Sequence, residues 1–342
     1  MIATADYELL TTAVGAVVRE GRAIVELSGS EAAEFLQGQV SNDVEALTVG
    51  HGCYATLLDH KGKLRTDLRV LRLAEDRPAR GAEPDRRSGE HRSDNFLVDA
   101  ESIGLPVLLH VFQTFSLGRD VRTRDLTPER SPIVDRASTA VPPSSHERVL
   151  VSLIGPAASG LVDPSPAAVE HGWVEALGGL AVTTDLGVDL IVPTDQLEQT
   201  LALAPAASEE AAECVRIESG RPRLGFDMGS TTIPQEAGIN ERAVNFEKGC
   251  YVGQETVARL HWRGKPNRHL RGLRLSETAP RGATITFGER EVGTVGSTCV
   301  SPALGPIALA LVRREASPGD EVTVDGAPAT VVELPFTRQQ AD

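Results

Sequence analysis

The run Phe246-Glu247-Lys248-Gly249-Cys250-Tyr251-Val252-Gly253-Gln254-Glu255 concentrates side chains that can do chemistry. Two glycines bracket a cysteine and a tyrosine, and a helix-compatible stretch to Arg263 follows directly. The pattern predicts a loop feeding a helix N-terminus, where unpaired amide donors and the positive end of the helix dipole stabilise an anion. A thiol placed there has its pKa lowered and becomes a nucleophilic thiolate. Lys248 pushes the same way, and Gly249 and Gly253 open backbone conformations closed to other residues. The competing reading is packing, since an isolated cysteine often behaves as a small hydrophobe. Local signals leave both open.

The other cysteines, Cys53, Cys214 and Cys299, lie far from Cys250 and from one another, with no paired CxxC. That spacing suggests neither a zinc site nor an iron-sulfur cluster, so no metal is expected and four free thiols are the simplest state. His261 is the one histidine near Cys250, and no third partner accompanies it, which argues against Cys-His hydrolysis.

The elements that position these groups follow from the apolar patterning. Ala23–Leu27 predicts a strand, and Ser28–Glu31 offers a turn and cap for a helix at 32–36 that stops near Gly38. Gln39–Val44 is then a polar connection. Cys53–Leu58 and Leu64–Leu73 predict the arms of a hairpin with its turn at Asp59–Lys63, which puts Asp67 on a strand. There it can pair with a neighbouring arginine. Residues 75–95 are charged and almost free of apolar side chains, predicting a mobile insertion. A helix at 103–117 closes the first unit; strands at 121–126 and 149–155 begin a second, with a hairpin at 180–193 and helices at 194–203 and 207–217. Arg216 and Glu218 on the last of these can form a surface ion pair. Beyond Asn267 six short strands predict a small antiparallel barrel. The fold class is α+β, in units spanning 1–120, 121–265 and 266–342.

With 48 acidic against 34 basic residues, the formal charge is −14. That balance argues against nucleic acid or an anionic membrane as partner, although a local basic patch can escape the average. No segment is apolar for long enough to span a bilayer, and the first residues lack the order of a secretion signal, so a cytoplasmic protein is expected.

Lys248 to Glu255 resembles the signature Lys-Gly-Cys-Tyr-x-Gly-Gln-Glu of the YgfZ-type folate-binding proteins, with every fixed position present. These are relatives of the glycine-cleavage T-protein (aminomethyltransferase) that support assembly or repair of iron-sulfur enzymes. Phe35–Val44 and Asp59–Lys63 are similar to the N-terminal pattern of the same family. The resemblance implies a ring of α+β subdomains around a cavity for tetrahydrofolate or a one-carbon derivative, with the barrel alongside. It implies that Cys250 is the working thiolate, Lys248 its electrostatic helper, and Tyr251, Gln254 and Glu255 positioning groups between the two glycines. Asp67 falls where T-protein relatives carry an acidic pair, of which Thr66-Asp67 keeps one carboxylate. Asp185 and Asp189 stand where T-proteins carry pterin-binding glutamates. The resemblance further implies that Arg216 clamps a folate carboxylate, that Glu218 holds Arg216, and that Glu236 lies near the cavity. The partners implied are folate and iron-sulfur enzymes or their assembly factors. An aminomethyltransferase acting on a lipoyl carrier and a noncatalytic folate-sensing scaffold are the alternative functions.

Limiting alkylation with iodoacetamide, read by mass spectrometry across pH, is expected to label Cys250 ahead of Cys53, Cys214 and Cys299, with an apparent pKa below that of a free thiol. Equal labelling of the four would contradict activation of this sulfur.

Overall fold

Alternating burial along two sets of strands generates the scaffold in the computed structural model, which describes residues 3–74, 93–128 and 146–337. The first part of the chain forms α1 (Thr4–Thr12), β1 (Gly15–Val18), β2 (Arg22–Gly29), α2 (Ala32–Gln39), β3 (Gly52–Leu58), β4 (Leu64–Leu73), β5 (Asp94–Glu101), α3 (Leu105–Phe115) and β6 (Arg122–Asp125). The second contributes β7 (Arg148–Ile154), β8 (Trp173–Ala176), β9 (Gly179–Thr184), β10 (Gly187–Pro193), α4 (Leu197–Leu201), α5 (Glu209–Glu218), α6 (Asn240–Ala243) and α7 (Gln254–Arg263). Among the described residues these strands make two antiparallel five-stranded sheets, ordered β3-β4-β5-β2-β6 and β1-β7-β10-β9-β8.

Because side chains alternate faces along a strand, each sheet has two distinct surfaces. On β4, Leu68 and Val70 pack with Phe35 and Leu36 of α2 and Phe112 of α3 on the outer side. Leu71 points the other way, into a second core that joins the sheets face to face through Ile24, Leu97, Leu150, Trp173, Leu180 and Ile191. The outer face of the second sheet carries Val151, Leu153, Leu190 and Val192, covered by Leu197 of α4. Burying each such side chain stabilises the fold by roughly 1.5–3 kcal/mol.

The two halves exchange strands, which local patterning does not reveal. The segment predicted as a second-unit strand at 121–126 forms β6 and pairs with β2, completing the first sheet. β1, from the N-terminal stretch, pairs with β7 in the second. A division at residue 120 therefore separates β6 from its own sheet. The cap expected at Ser28–Glu31 also differs. Glu31 precedes α2 with no side-chain cap bond, while the Ser30 amide and hydroxyl both donate to Asp120 Oδ2. Most of the expected insertion at 75–95, and the connection at 141–145, lie outside the described residues, and Asp94 and Asn95 already belong to β5.

The barrel closes as predicted, in the order β11-β14-β13-β12-β15-β16, from β11 (Arg268–Leu275), β12 (Thr284–Phe287), β13 (Arg290–Ser301), β14 (Gly305–Arg313), β15 (Glu321–Val324) and β16 (Ala327–Val332). One of its docking contacts centres on a buried carboxylate, Asp227. The register of β13 slips between Val295 and Thr298, and at that bulge Asp227 accepts from the Ser297 amide at 2.7 Å and its hydroxyl at 2.8 Å. Gly296 allows this approach, since a Cβ there would meet Asp227 Oδ1 at 2.5 Å. Arg216 of α5 completes the knot, donating to Asp227 Oδ2 at 3.1 Å and to Ser297 Oγ at 2.7 Å.

Replacing Asp227 by Ala leaves the buried Ser297 amide without its acceptor and removes one of the two carboxylates paired with the buried Arg216 guanidinium. A loss of about 3–5 kcal/mol in urea unfolding is expected. An unchanged midpoint would show that the barrel docks by other means.

Candidate functional site

The same two-residue alternation that builds the inter-sheet core turns it into a polar cavity one step further along each strand. Ile24 gives way to Arg22 on β2, Leu71 to Arg69 and Asp67 on β4, Leu150 to Ser152 on β7, and Ile191 to Asp189 on β10. The cavity measures about 200 Å³ and is open on one side. Tyr54, Glu101, Glu170, His171 and residues of the 216–223 segment complete its wall, with Arg242 from α6. Pockets enclosing a whole drug-sized ligand are typically about 300–1,000 Å³, so this one suits a ring system with a tail leaving through the mouth.

Its electrostatics centre on a chain of buried ions. Arg69 donates from Nε to Asp99 Oδ2 at 2.7 Å within the first sheet, and from Nη1 to Asp189 Oδ2 at 2.9 Å across to the second. Ser152 Oγ donates to the other oxygen of Asp189 at 2.7 Å. Arg22 holds Asp99 and Glu101. Burial opposes ionisation of Asp99, but Arg69 and Arg22 outweigh it and keep the carboxyl below its ordinary range. Asp67 goes the other way. Burial raises its pKa despite Arg22 and the Tyr54 hydroxyl, which donates to Oδ2 at 2.7 Å.

Several buried polar atoms of the lining residues have no hydrogen-bond partner: Asp67 Oδ1, Arg69 Nη2, His171 Nδ1, Arg242 Nε and Arg19 Nε, the last within 3.8 Å of Glu209. Buried polar groups are normally satisfied, so acceptors and donors left together in one cavity mark a place for a polar ligand. The set fits a planar ring that presents N–H donors and a carbonyl acceptor, which is what a pterin carries. Seven arginines and five carboxylates line the wall, and every one of these arginines is ion-paired, to carboxylates that include Asp99, Glu209, Glu213 and Asp227 behind the lining. His171 sits at φ 66, an unusual backbone conformation for a side chain of this size. Burial, with Arg69 and Arg242 nearby, pushes its pKa down to about 4, so the ring is neutral at physiological pH.

Of the residues singled out in the sequence, Asp67, Asp185, Asp189 and Arg216 meet in this cavity. Their engagements differ. Both oxygens of Asp189 are taken by Arg69 and Ser152, and Asp185 pairs with Arg221 at the half-exposed rim. Arg216 is spent on Glu213, Asp227, Ser297 and the Arg221 carbonyl, so it is a strut of the wall rather than a free clamp. Glu218 does not hold it; that carboxylate accepts from Tyr7 and Ser301 instead. Glu236 lies outside the lining, accepting from Arg268 at the base of the barrel and from the Ile233 amide. Arg22, Arg69, His171 and Arg242 were not foreseen. The i, i+2 spacing of Asp67 and Arg69 on one strand was the available signal for Arg69.

The cysteine motif is built next to this wall. Cys250 is exposed and lies four residues before the first residue of α7, and it is not among the cavity-lining residues. Lys248, expected to assist the thiol, is buried and turned to backbone: Nζ donates to the carbonyls of Gln37, Val40 and Asn42 at 2.7, 2.7 and 2.9 Å. Burial lowers its pKa to about 8. Tyr251 is buried among Leu58, Leu64 and Val257, Gln254 opens α7, and Glu255 is exposed in its first turn. Gly249 is exposed; Gly253 sits at φ 84, where a Cβ would meet the Asp59 carbonyl at 2.5 Å, so α7 seats on the β3–β4 turn.

The barrel, residues 268–337, matches the family described as the glycine cleavage T-protein C-terminal barrel domain. An aminomethyltransferase of Saccharopolyspora erythraea is 27% identical over 98% of this chain and 90% of its own length. One from Corynebacterium jeikeium is 25% identical over 91% of this chain and 82% of its own. A protein of Mycosarcoma maydis named iron-sulfur cluster assembly factor IBA57 homolog, mitochondrial, is 28% identical over 71% of this chain and 53% of its own length. The crystal structure of glycine cleavage system aminomethyltransferase T from Bartonella henselae superposes with a TM-score of 0.78, covering 98% of this chain and 90% of that one at 20% identity. The chain thus has the aminomethyltransferase fold with its C-terminal barrel, and distant similarity to an iron-sulfur assembly factor.

His171 supplies a pH test. Its folded pKa of about 4 lies below the ordinary 6.5, so in that window the unfolded chain takes up a proton that the folded one refuses. Stability is therefore lost as pH falls from about 6.5 towards 4. His171→Asn, which tolerates the same backbone conformation, is expected to show a smaller drop in unfolding midpoint between about pH 7 and about pH 5. An identical drop would mean that the histidine titrates normally.

Proposed function

We propose that this chain is a tetrahydrofolate-binding accessory protein supporting the assembly or repair of iron-sulfur proteins, with Cys250 as its reactive thiol. The observation that carries the reading is the group of unpartnered buried donors and acceptors in the inter-sheet cavity, in a fold shared with an aminomethyltransferase. Asp67 accepts from ring N–H groups through its free oxygen, and Arg69 and Arg242 supply donors. Neutral His171 offers either role according to its tautomer. Asp189 positions Arg69. Arg19, Arg221 and Arg223 stand near the rim, where glutamate carboxylates leave the cavity, with Asp185 orienting Arg221. Bound there, a reduced folate supplies nitrogens that carry a one-carbon unit.

Cys250 works from the surface, where a macromolecular client can reach it. Lys248 contributes by fixing the loop that presents the sulfur. The contact between motif and cavity runs through Asn42, whose Nδ2 donates to the Arg242 carbonyl at 3.1 Å and whose own carbonyl receives Lys248.

Similarity along nearly the whole chain to proteins named aminomethyltransferases favours a second reading, transfer from an aminomethyl-lipoyl carrier. Ammonia release from such a carrier with tetrahydrofolate separates the two. Turnover supports the second reading, and none is expected under the first.

Titration calorimetry with tetrahydrofolate tests the shared premise. Asp67→Asn is expected to weaken binding about tenfold to a hundredfold, the cost of one lost acceptor in a buried site. Equal affinity, or no binding by the native chain, would contradict the cavity assignment. For the thiol, Cys250→Ala and Cys250→Ser are both expected to fail to restore iron-sulfur enzyme activity in cells lacking this protein. Full restoration by both would remove the sulfur from the mechanism.

A further inference from the structure

Glu218, freed from the role the sequence suggested, takes part in a different arrangement. Cys214 and Glu218 are one helical turn apart on α5 and share a face. Across from them on β13, Cys299 donates its S–H to Cys214 Sγ at 3.4 Å, and Cys214 donates in turn to Glu218 Oε1 at 3.7 Å. Tyr7 Oη, at 2.9 and 3.0 Å from the two carboxylate oxygens, and Ser301 Oγ hold Glu218 in place. The two sulfurs differ in access: Cys214 is 0% exposed, whereas Cys299 is half-buried. Among the described residues no group of three or more His, Cys, Asp or Glu side chains is arranged to hold a metal ion, so the pair stands as a dithiol.

We propose that Cys214 and Cys299 form a reversible dithiol–disulfide site that is oxidised by peroxides, with Cys299 attacked first, Cys214 resolving and Glu218 accepting the proton. Cys299 sulfur attacks a peroxide oxygen; the S–O bond forms, the O–O bond breaks, and water or an alcohol leaves, giving a sulfenic acid. Cys214 sulfur then attacks the Cys299 sulfur, its proton passing to Glu218. The S–S bond forms, the S–O bond breaks, and the departing hydroxide leaves as water with the proton from Glu218. In sum, two thiols lose two electrons to one peroxide. The neighbouring Cys299 thiol, burial and the Glu218 carboxylate that accepts its S–H hydrogen bond all hold Cys214 as the thiol, so a nearby acceptor is what lets it resolve. The product ties α5 to the barrel beside Arg216, which lines the cavity and already bonds Ser297 of β13. The site is independent of which ligand the cavity takes.

The test treats the reduced full-length protein with hydrogen peroxide, blocks remaining thiols with iodoacetamide after unfolding, and maps peptides without reduction. A linked peptide pair joining Cys214 to Cys299, lighter by two hydrogens and reversed by dithiothreitol, is expected. It should be absent from Cys214→Ser and Cys299→Ser, each folded by circular dichroism. Glu218→Gln should form it about tenfold or more slowly, in line with loss of a positioned proton acceptor. Cys299 accumulating as sulfinic acid while Cys214 remains alkylatable would overturn the proposal, as would pairing of either residue with Cys53 or Cys250. An unchanged rate in Glu218→Gln would overturn the role of that carboxylate.

Discussion

The buried guanidinium of Arg69 is the constraint on which the rest depends. It is anchored to Asp99 in its own sheet and to Asp189 in the opposite one, so it sets how the two inner faces meet. Taking such charges out of water costs several kcal/mol per ion, and their mutual attraction recovers this only with good geometry. An apolar core continued to the end of the strands would be as stable without that cost. The molecule instead stops the core at Leu71, Leu150 and Ile191 and places ions beyond it, one of which keeps a buried N–H unpaired. Such an arrangement makes physical sense where something polar is to be bound.

From that centre the site is wired outwards by backbone carbonyls rather than by charge pairs. Arg242 lines the cavity, stacks its guanidinium 5.3 Å from the Tyr54 ring centroid, and offers its carbonyl to Asn42. Ser41 is fully buried and donates to the Ala243 carbonyl at 2.6 Å. Lys248 then gathers three carbonyls of the same Gln37–Asn42 turn. The segment that looked like ordinary turn chemistry is therefore the platform on which the cysteine loop rests. Gly253 and the Asp59–Gly62 turn fix the other end of that loop. Cys250 is left exposed between two rigid supports, a geometry suited to a partner that comes to the sulfur.

How much of this was legible in the sequence depended on whether the signal was local. The hairpin around Asp59–Lys63 and the six barrel strands follow from alternation and turn residues within a few positions, and the structure has them within about two residues of the expected ends. Pairing of β6 with β2 and of β1 with β7 joins segments far apart in sequence, and nothing in their composition names the partner. For the site, the family resemblance pointed to Asp67 and Asp189, which line one cavity, but their engagement by Tyr54, Arg69 and Ser152 rests on contacts that only folding creates. His171 was missed because a lone histidine in a polar loop carries no periodic signal. The reach of Lys248 back to the turn after α2 was not legible either, because its three carbonyl partners lie more than 200 residues away in sequence.

A crystal structure with a reduced, stable tetrahydrofolate such as the 5-formyl derivative bound is the most direct measurement. The expected result places the pterin ring between the sheets, with Asp67 Oδ1 and Arg69 Nη2 each within hydrogen-bond distance of it and the glutamate tail directed to the arginine-lined rim. A ligand seated elsewhere, with those two atoms met by water alone, would contradict it.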